Sequence, residues 1–298
     1  KTSKTSRIED RKLHWPLGTE DVSESDFQLL RTQWEPLITS TEFINKLFPE
    51  HSTREGASVL FNQDNLIPVL DELKTQLLSS YFINHLDFIL RWLCYALCVR
   101  ETASGMLRVL NVTKEVLILV DKHNQMLHEV EASYILPHII EKSGHKSERH
   151  RSAFKTVIEI ARYTTTSKTQ VSYLLSALSC KNKRSRVVSL EEILHLIISH
   201  GYTAFGRTAV KEVGCAFDAK DCDVAMRNAC LDVCAALLDN GLKGDVNKLF
   251  KLLGDPSEKS QNLITARLRQ NVRDNKQNTA VNDANVKFEK NSDFLKAI

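Results

Sequence analysis

The stretch VVSLEEILHLI, residues 187–197, shows the pattern that decides the fold of this chain. Its apolar side chains recur at intervals of three and four residues, at Val187, Leu190, Ile193, Leu194 and Ile197. This spacing places them on one face of an α-helix, because a helix completes a turn in about 3.6 residues. The same pattern continues through most of residues 26–270, whereas strict two-residue alternation is scarce. The sequence therefore predicts an all-α protein.

The helical segments follow one another in pairs. Helices are predicted at residues 81–98, 104–122, 130–143, 150–163, 168–180, 186–200, 207–217 and 223–240. Connections within a pair are short, and the second helices start at about residues 104, 150, 186 and 223, a repeat of roughly 40 residues that is typical of HEAT and armadillo proteins. One pair cannot bury both of its faces, so we expect the pairs to stack into an α-solenoid capped by residues 22–47 and 245–270.

A single repeat domain is predicted over residues 22–270. The 298 residues are enough for two domains of ordinary size, but stacked repeats share one continuous core and can reach this length as one domain. Residues 1–21 are expected to form a basic arm, and residues 271–298, rich in Asn, Lys and Asp, a polar flexible tail. The first residue is Lys rather than Met, so we expect a fragment of a longer chain, although removal of an initiator Met would also explain this residue.

Composition argues against several classes of protein. Lys and Arg number 40 against 37 Asp and Glu, so the chain lacks the strong positive field typical of nucleic-acid-binding proteins. No apolar run approaches the roughly 20 residues that span a bilayer. The seven cysteines are an odd number and no secretory signal opens the chain, which indicates a reducing, intracellular compartment. We expect neither a nucleic-acid partner, nor a membrane, nor a cofactor.

Motifs of enzymatic chemistry are not found: the sequence has no Gly-rich phosphate loop, HExxH motif or nucleophile elbow. Cys94 and Cys98, like Cys230 and Cys234, are four residues apart on apolar helix faces, where cysteine commonly packs as a small hydrophobe. A zinc site involving Cys215 and Cys222 is a minor alternative, because these cysteines are too widely spaced for a usual zinc motif. The sequence favours a binding protein over an enzyme.

The most informative polar stretch is CKNKRSR, residues 180–186, which places four cations within six residues where a turn enters a helix. A helix amino terminus carries partial positive charge, so each cation there is unfavourable by roughly 0.3–1 kcal/mol. Stability alone does not explain the cluster. An acidic partner would, because its carboxylates would meet both the cations and the free backbone N–H groups.

Similar turns recur at residues 145–149 and 219–223, and a stacked array would align them along one edge. The alternative that these two turns are simply solvated loops is about equally good. Arg151, Arg186 and Arg227 each fall early in a second helix, and we expect them to be structural, in a ladder between neighbouring repeats. Asp223 and Arg227 have the four-residue spacing of a favourable helix pair.

These turns resemble the TOG domains of the microtubule-polymerase family that includes ch-TOG and Minispindles. Residues 180–186, with the LEE of residues 190–192, are similar to the family's SKN…R…LEEL turn and helix. Residues 221–231, DCDVAMRNACL, are similar to its DRD…VRNAAL segment. The resemblance covers most of the chain.

Other stretches resemble the fifth, carboxy-terminal TOG domain in particular. They are Trp15, FILRWL at residues 88–93, EAS at residues 131–133, LFKL at residues 249–252 and SEK at residues 257–259. The resemblance implies a paddle of six HEAT repeats with an extra amino-terminal helical element. It also implies that turns within the repeats bind αβ-tubulin, with a preference for lattice-associated or laterally placed tubulin.

The residues that the resemblance assigns to tubulin contact lie in successive turns. They are Phe48, Thr102, Lys146, Ser147, Lys181, Asn182, Lys183, Lys220 and Asp221. Two positions depart from the family pattern. Cys222 replaces the arginine of DRD, which removes a charged contact, and residues 48–80 are longer than the usual first repeat.

The sequence therefore predicts a non-enzymatic tubulin-binding unit of a multi-domain microtubule polymerase. We expect it to be monomeric as a fragment, to work beside other TOG domains, and to act in the cytoplasm on microtubules, spindle and centrosome. The main alternative is a HEAT-repeat scaffold that binds a partner other than tubulin.

Overall fold

The computed structural model describes residues 24–36, 40–48, 68, 71–72, 85–98 and 103–270, and all regular structure in these ranges is helical. The helices named below are α1 Glu24–Trp34, α2 Thr41–Leu47, α3 Leu86–Cys98, α4 Ala103–Lys122, α5 Glu129–Lys142, α6 Glu148–Thr164, α7 Ser167–Ala177, α8 Lys183–His200, α9 Tyr202–Phe205, α10 Arg207–Phe217, α11 Val224–Leu237, α12 Val246–Leu253 and α13, residues 258–270. The predicted all-α class is confirmed. No helix within these ranges combines the length and the apolar character needed to cross a bilayer.

The chain forms two compact units that divide between Glu192 and Ile193, inside α8. In the first unit the first helices of successive pairs, α3, α5 and α7, pack side by side, and the second helices α4 and α6 pack against each other. Each first helix also contacts its own second helix, α3 with α4 and α5 with α6. This two-layer stacking is the HEAT-type arrangement predicted from the pairing of the helices.

Amino-terminal helices cover one end of the first unit, where α1 packs on α3. The Trp92 indole nitrogen of α3 donates a 3.1 Å hydrogen bond to the carbonyl of Leu47, at the end of α2. Within α3 a buried Arg91 pairs with a buried Asp87 at 3.0 Å, and it also donates to Gln33 Oε1 of α1 at 3.2 Å. These bonds fix the amino-terminal helices to the first complete pair.

In the second unit α10 packs against both α11 and α12. A single π-helical turn, Leu238–Leu242, follows α11 and contacts α12. An ion pair of 2.7 Å joins Arg267 of α13 to Asp232 of α11. The terminal cap predicted at residues 245–270 is therefore two helices, α12 and α13.

Most helix boundaries lie close to the prediction, and residues 207–217 coincide with α10. The largest shift among the starts of second helices is at α8, which begins at Lys183 rather than 186. The short helix α9 was not predicted. The predicted basic arm at residues 1–21 and the tail at residues 271–298 lie outside the described residues.

Candidate functional site

The turn at residues 180–183 leads directly into α8 and is held by Asn182. The Asn182 side-chain oxygen accepts a hydrogen bond from the backbone N–H of Arg184 at 3.1 Å, and its carbonyl accepts from the N–H of Arg186 at 3.2 Å. Asparagine is among the preferred residues for this capping role. Asn182, predicted as a contact residue, thus has a structural task in the turn.

Cations surround this helix start. Lys181, Lys183 and Arg184 are exposed, and the first turn of α8 carries no acidic residue. Within the described part of the chain, the ammonium groups of Lys181 and Lys183 make no ion pair. The positive charge at this end of α8 is therefore available to an external carboxylate.

Hydrogen bonds from Asn182 and Ser185, referred to below as the lock, join this turn to the turn at residues 144–147 and the end of α5. The buried Ser185 hydroxyl donates to the carbonyl of Glu141 at 2.5 Å and accepts from the N–H of Gly144 at 2.9 Å. The Asn182 amide donates to the carbonyl of Gly144 at 3.2 Å. Two turns predicted to lie along one edge are thus bonded to each other.

Glycine is needed at position 144 because the two turns approach so closely. A Cβ placed there would lie 2.5 Å from the backbone nitrogen of Ser185 and 2.6 Å from the side-chain oxygen of Asn182. Any larger residue would push the turns apart. Gly144 and Ser185 were not among the predicted site residues, because their partners are separated by about 40 positions in the sequence and no local pattern marks such a contact.

The 144–147 turn presents an exposed Lys146 and a half-buried Ser147 at the start of α6. The His145 ring nitrogen Nδ1 accepts a hydrogen bond from the N–H of Ser147 at 3.1 Å, and the ring lies 4.3 Å from the ring of the buried His150. Burial and the neighbouring His150 lower the pKa of His145. Neutral His145 can keep accepting this bond, so it supports the turn.

Arg151, Arg186 and Arg227 bind the backbone of the turns that precede them. Arg151 donates to the carbonyls of His145 and Lys146 at 3.0 and 2.9 Å, and its second terminal nitrogen pairs with Glu148. Arg186 donates to the carbonyl of Cys180 at 2.6 Å.

Arg227 in turn donates to the carbonyl of Cys222 at 3.3 Å. These bonds lie within each turn and agree with the expected structural role of the three arginines, while a ladder between repeats stays a prediction. Asp223 does not form the predicted pair with Arg227. Its carboxylate caps α11 by accepting from the N–H of Met226 at 2.9 Å.

The turn at residues 218–223 belongs to the second unit and exposes Lys220 and Asp221. Asp218 accepts hydrogen bonds from the hydroxyls of Ser257 and Ser260 at 2.9 and 2.5 Å. Burial opposes ionisation of this carboxyl, but the bonds from the two serines leave its pKa below the ordinary value. Neighbouring turns are thus bonded in this unit too.

Two predicted contact residues, Phe48 and Thr102, are not found on an exposed turn of the described chain. Phe48 is fully buried and packs edge-on against Trp34, with ring centres 5.9 Å apart, while its carbonyl accepts from Arg31. Its side chain serves the amino-terminal core and is not presented to a partner. Thr102 lies outside the described residues.

The cysteine side chains described in α3 and α11 pack in the core. Cys94, Cys230 and Cys234 are buried, and burial raises the pKa of Cys234 to about 12. These protonated thiols pack as small hydrophobic groups, as expected from the sequence. The described residues contain no group of three or more His, Cys, Asp or Glu placed to hold a metal ion.

Comparison with solved structures identifies the type of fold. A TOG domain from Caenorhabditis elegans Zyg9 superposes with a TM-score of 0.77 at 20% identity, covering 90% of this chain and 96% of that one. A structure from work on TOG-tubulin binding specificity in microtubule dynamics and mitotic spindle formation superposes at 0.70 and 22%, covering 85% and 97%. This chain therefore has the HEAT-repeat fold of a TOG domain.

Sequence comparison leads to the same group of proteins, although no protein-family model matches the chain. Protein mini spindles of Drosophila melanogaster is 26% identical over 205 residues, 68% of this chain and 10% of that protein. Protein MOR1 of Oryza sativa subsp. japonica is 28% identical over 226 residues, 74% of this chain and 11% of that protein.

Zygote defective protein 9 of C. elegans is 22% identical over 249 residues, 84% of this chain and 16% of that protein. The chain thus spans only a small part of the relatives it matches. The comparisons support a TOG domain related to those of the Mini spindles, Zyg9 and MOR1 proteins.

Proposed function

We propose that this chain is a non-enzymatic TOG domain that binds αβ-tubulin through its intra-repeat turns and serves as one unit of a microtubule polymerase. The observation that carries the proposal is the pair of bonded turns at residues 144–147 and 180–183. Their exposed cations, Lys146, Lys181 and Lys183, stand at helix starts where they do not stabilise the helices. The TOG-domain fold supplies the identity of the partner, because a structural relative is described by its tubulin-binding specificity.

The turns suit a large rigid partner. The hydrogen bonds between the turns, together with buried side chains, hold the turns in place. Little conformational entropy is therefore lost when a partner binds to them. Exposed lysines would meet carboxylates at a polar rim, which favours fast and specific association more than raw affinity. Lys220 and Asp221 in the second unit are proposed to add a further contact.

The finer parts of the proposal rest on sequence resemblance. They are the position of the chain as a fifth TOG domain, a preference for lattice-associated or laterally placed tubulin, cooperation with other TOG domains, and a monomeric state. The spindle is the proposed place of action, supported by the name of mini spindles, and the centrosome is a further proposed site. A HEAT scaffold for a different protein remains the rival proposal.

The test is size exclusion with αβ-tubulin and co-sedimentation with microtubules, both at low salt. We expect wild type to bind in at least one assay and the variant Lys181→Ala with Lys183→Ala to bind about two- to thirtyfold more weakly, since each exposed charge pair contributes about 0.2–1 kcal/mol. Absence of wild-type binding in both assays contradicts the tubulin proposal.

A matched control removes two exposed lysines from the same unit, Lys122→Ala with Lys168→Ala. Lys122 ends the second helix α4 and Lys168 begins the first helix α7, so both lie at the helix ends opposite the bonded turns. We expect this variant to bind as wild type does. Equal binding by both double variants would show that another surface makes the contact.

A further inference from the structure

A groove runs between the second helices α4 and α6, beginning beside the 144–147 turn. It has a volume of about 620 Å³. Leu107 contributes apolar surface, Leu110 and Val157 line the groove from buried positions, and hydroxyl and amide groups stand along the sides at Ser152 and Asn111. The groove is thus a polar channel with a partly apolar lining, and none of the proposed contact lysines lines it.

Among the described residues that line this groove, three are cations and none is a carboxylate: Arg108 and Lys114 of α4, and Arg149 of α6. Arg149 is exposed, and its guanidinium makes no ion pair or hydrogen bond within the described ranges. The other two cations have only exposed or half-exposed partners, since Arg108 lies 3.5 Å from Asp71 and Lys114 lies 3.4 Å from Glu115. Exposed pairs of this kind contribute about 0–1 kcal/mol and exchange partners readily.

The dimensions of the groove fit a short piece of extended chain. Its lining on α4 runs from Ser104 to Lys114, and at 1.5 Å per residue this is roughly 15 Å. An extended peptide advances about 3.3 Å per residue, so four to five residues span about this length. Cations spaced along both walls would then face acidic side chains along most of the peptide.

We propose that this groove binds an acidic peptide segment in extended conformation. Charge complementarity selects the occupant: three lining cations meet carboxylates, while the hydroxyl and amide groups bind the peptide backbone. Nucleic acid fits less well, because the described lining residues include no aromatic side chain on which a base would stack. The groove lining contains none of the proposed tubulin-contact residues, and only Arg149 lies next to the 144–147 turn. The test of the groove does not depend on tubulin being the partner.

Fluorescence anisotropy with a fluorescein-labelled hexaglutamate peptide tests the proposal, with hexaglutamine and a six-nucleotide oligothymidylate as parallel probes. We expect wild type to bind hexaglutamate with a Kd below about 1 mM and not to bind hexaglutamine. Lys114→Ala with Arg149→Ala should weaken this binding by at least about threefold, and added salt should weaken it further.

Arg207→Ala with Lys211→Ala is the charge-matched control, because both residues are exposed on the first turns of α10 in the other unit. The proposal requires this control and Lys181→Ala with Lys183→Ala to bind hexaglutamate as wild type does. It is overturned if wild type does not bind, if the groove variant binds equally well, or if the Lys181 and Lys183 variant alone loses binding. If oligothymidylate binds as tightly as hexaglutamate, and the groove variant weakens both equally, the groove is a general polyanion-binding surface rather than a peptide site.

Discussion

Ser185 shows how one buried hydroxyl can determine the position of a contact turn. Its two hydrogen bonds to Glu141 and Gly144 hold the neighbouring turn against the start of α8. No periodicity marks Ser185 for this role, because its partners are about 40 residues away in sequence. The charged residues Lys181 and Lys183 could be selected from sequence because four cations at a helix start are unusual, whereas the residues that position them could not.

Ser185→Ala should lower the free energy of unfolding by about 1–3 kcal/mol, because it leaves the buried N–H of Gly144 and the part-buried carbonyl of Glu141 without this partner. Denaturant-induced unfolding followed by circular dichroism measures the change. Ser176→Ala, an exposed position on α7, is the control and should change stability by less than about 0.5 kcal/mol. Equal stability of the Ser185 variant and wild type would show that the lock does not stabilise the fold.

His145 should make the 144–147 turn sensitive to acid. Its pKa in the folded protein is lowered from 6.5 by burial and by His150, so the unfolded chain takes up the proton more readily than the folded one. The associated stability is complete above the ordinary pKa and declines as pH falls through that value toward the lower folded pKa.

Thermal unfolding at pH 7.5 and pH 5.5 measures this effect. The drop in midpoint between the two pH values should be smaller in His145→Asn, which keeps an acceptor for the N–H of Ser147 but does not titrate. Asp218 titrates below this pH range, since its pKa is lowered from 3.8. An equal drop in both proteins would assign the acid sensitivity to other groups.

A buried charged pair joins α6 to α8. Arg162 of α6 donates two hydrogen bonds of 2.8 Å to the buried carboxylate of Glu192 on α8. Two turns of α6 earlier, Lys155 faces Glu191 at 3.8 Å with both side chains about half exposed. The same two helices therefore offer a buried and an exposed pair for comparison.

Arg162→Ala should lower the free energy of unfolding by about 2 kcal/mol or more, because a buried carboxylate loses two charge-assisted hydrogen bonds. Lys155→Ala should change it by less than about 1 kcal/mol. Chemical denaturation of the two variants gives the comparison. Similar losses of unfolding free energy in the two variants would show that burial does not determine how strongly a charged pair stabilises the fold.

At the scale of elements, sequence periodicity predicted most of the helices well. The predicted bounds of the helix at residues 207–217 coincide with α10, because its apolar positions are clear and Gly206 and Asp218 flank it. The start of α8 was misplaced, because Lys183 and Arg184 are unfavourable at a helix amino terminus and no propensity rule would place them there. Asn182 and the bonds to the neighbouring turn stabilise that start, and these contacts become visible only in three dimensions.

Over the whole molecule the net charge is only +3, so electrostatic recognition depends on local clusters. Tubulin binding through the turns should therefore weaken steadily as salt rises from about 50 to 300 mM, while the Lys181→Ala with Lys183→Ala variant should show a shallower dependence. Equilibrium binding at four salt concentrations would provide the two slopes. Parallel slopes would mean that these lysines do not provide the salt-sensitive contact.

The lock between Gly144, Asn182 and Ser185 also sets a rule for protein engineering. A designer who grafts only the Lys181 to Lys183 segment onto another helical repeat would move the charges without the support that fixes their backbone. The smallest portable unit is instead two adjacent repeats, with the glycine kept in the first and the serine in the second. The proposed contact surface is thus a property of two adjacent repeats rather than of a single loop.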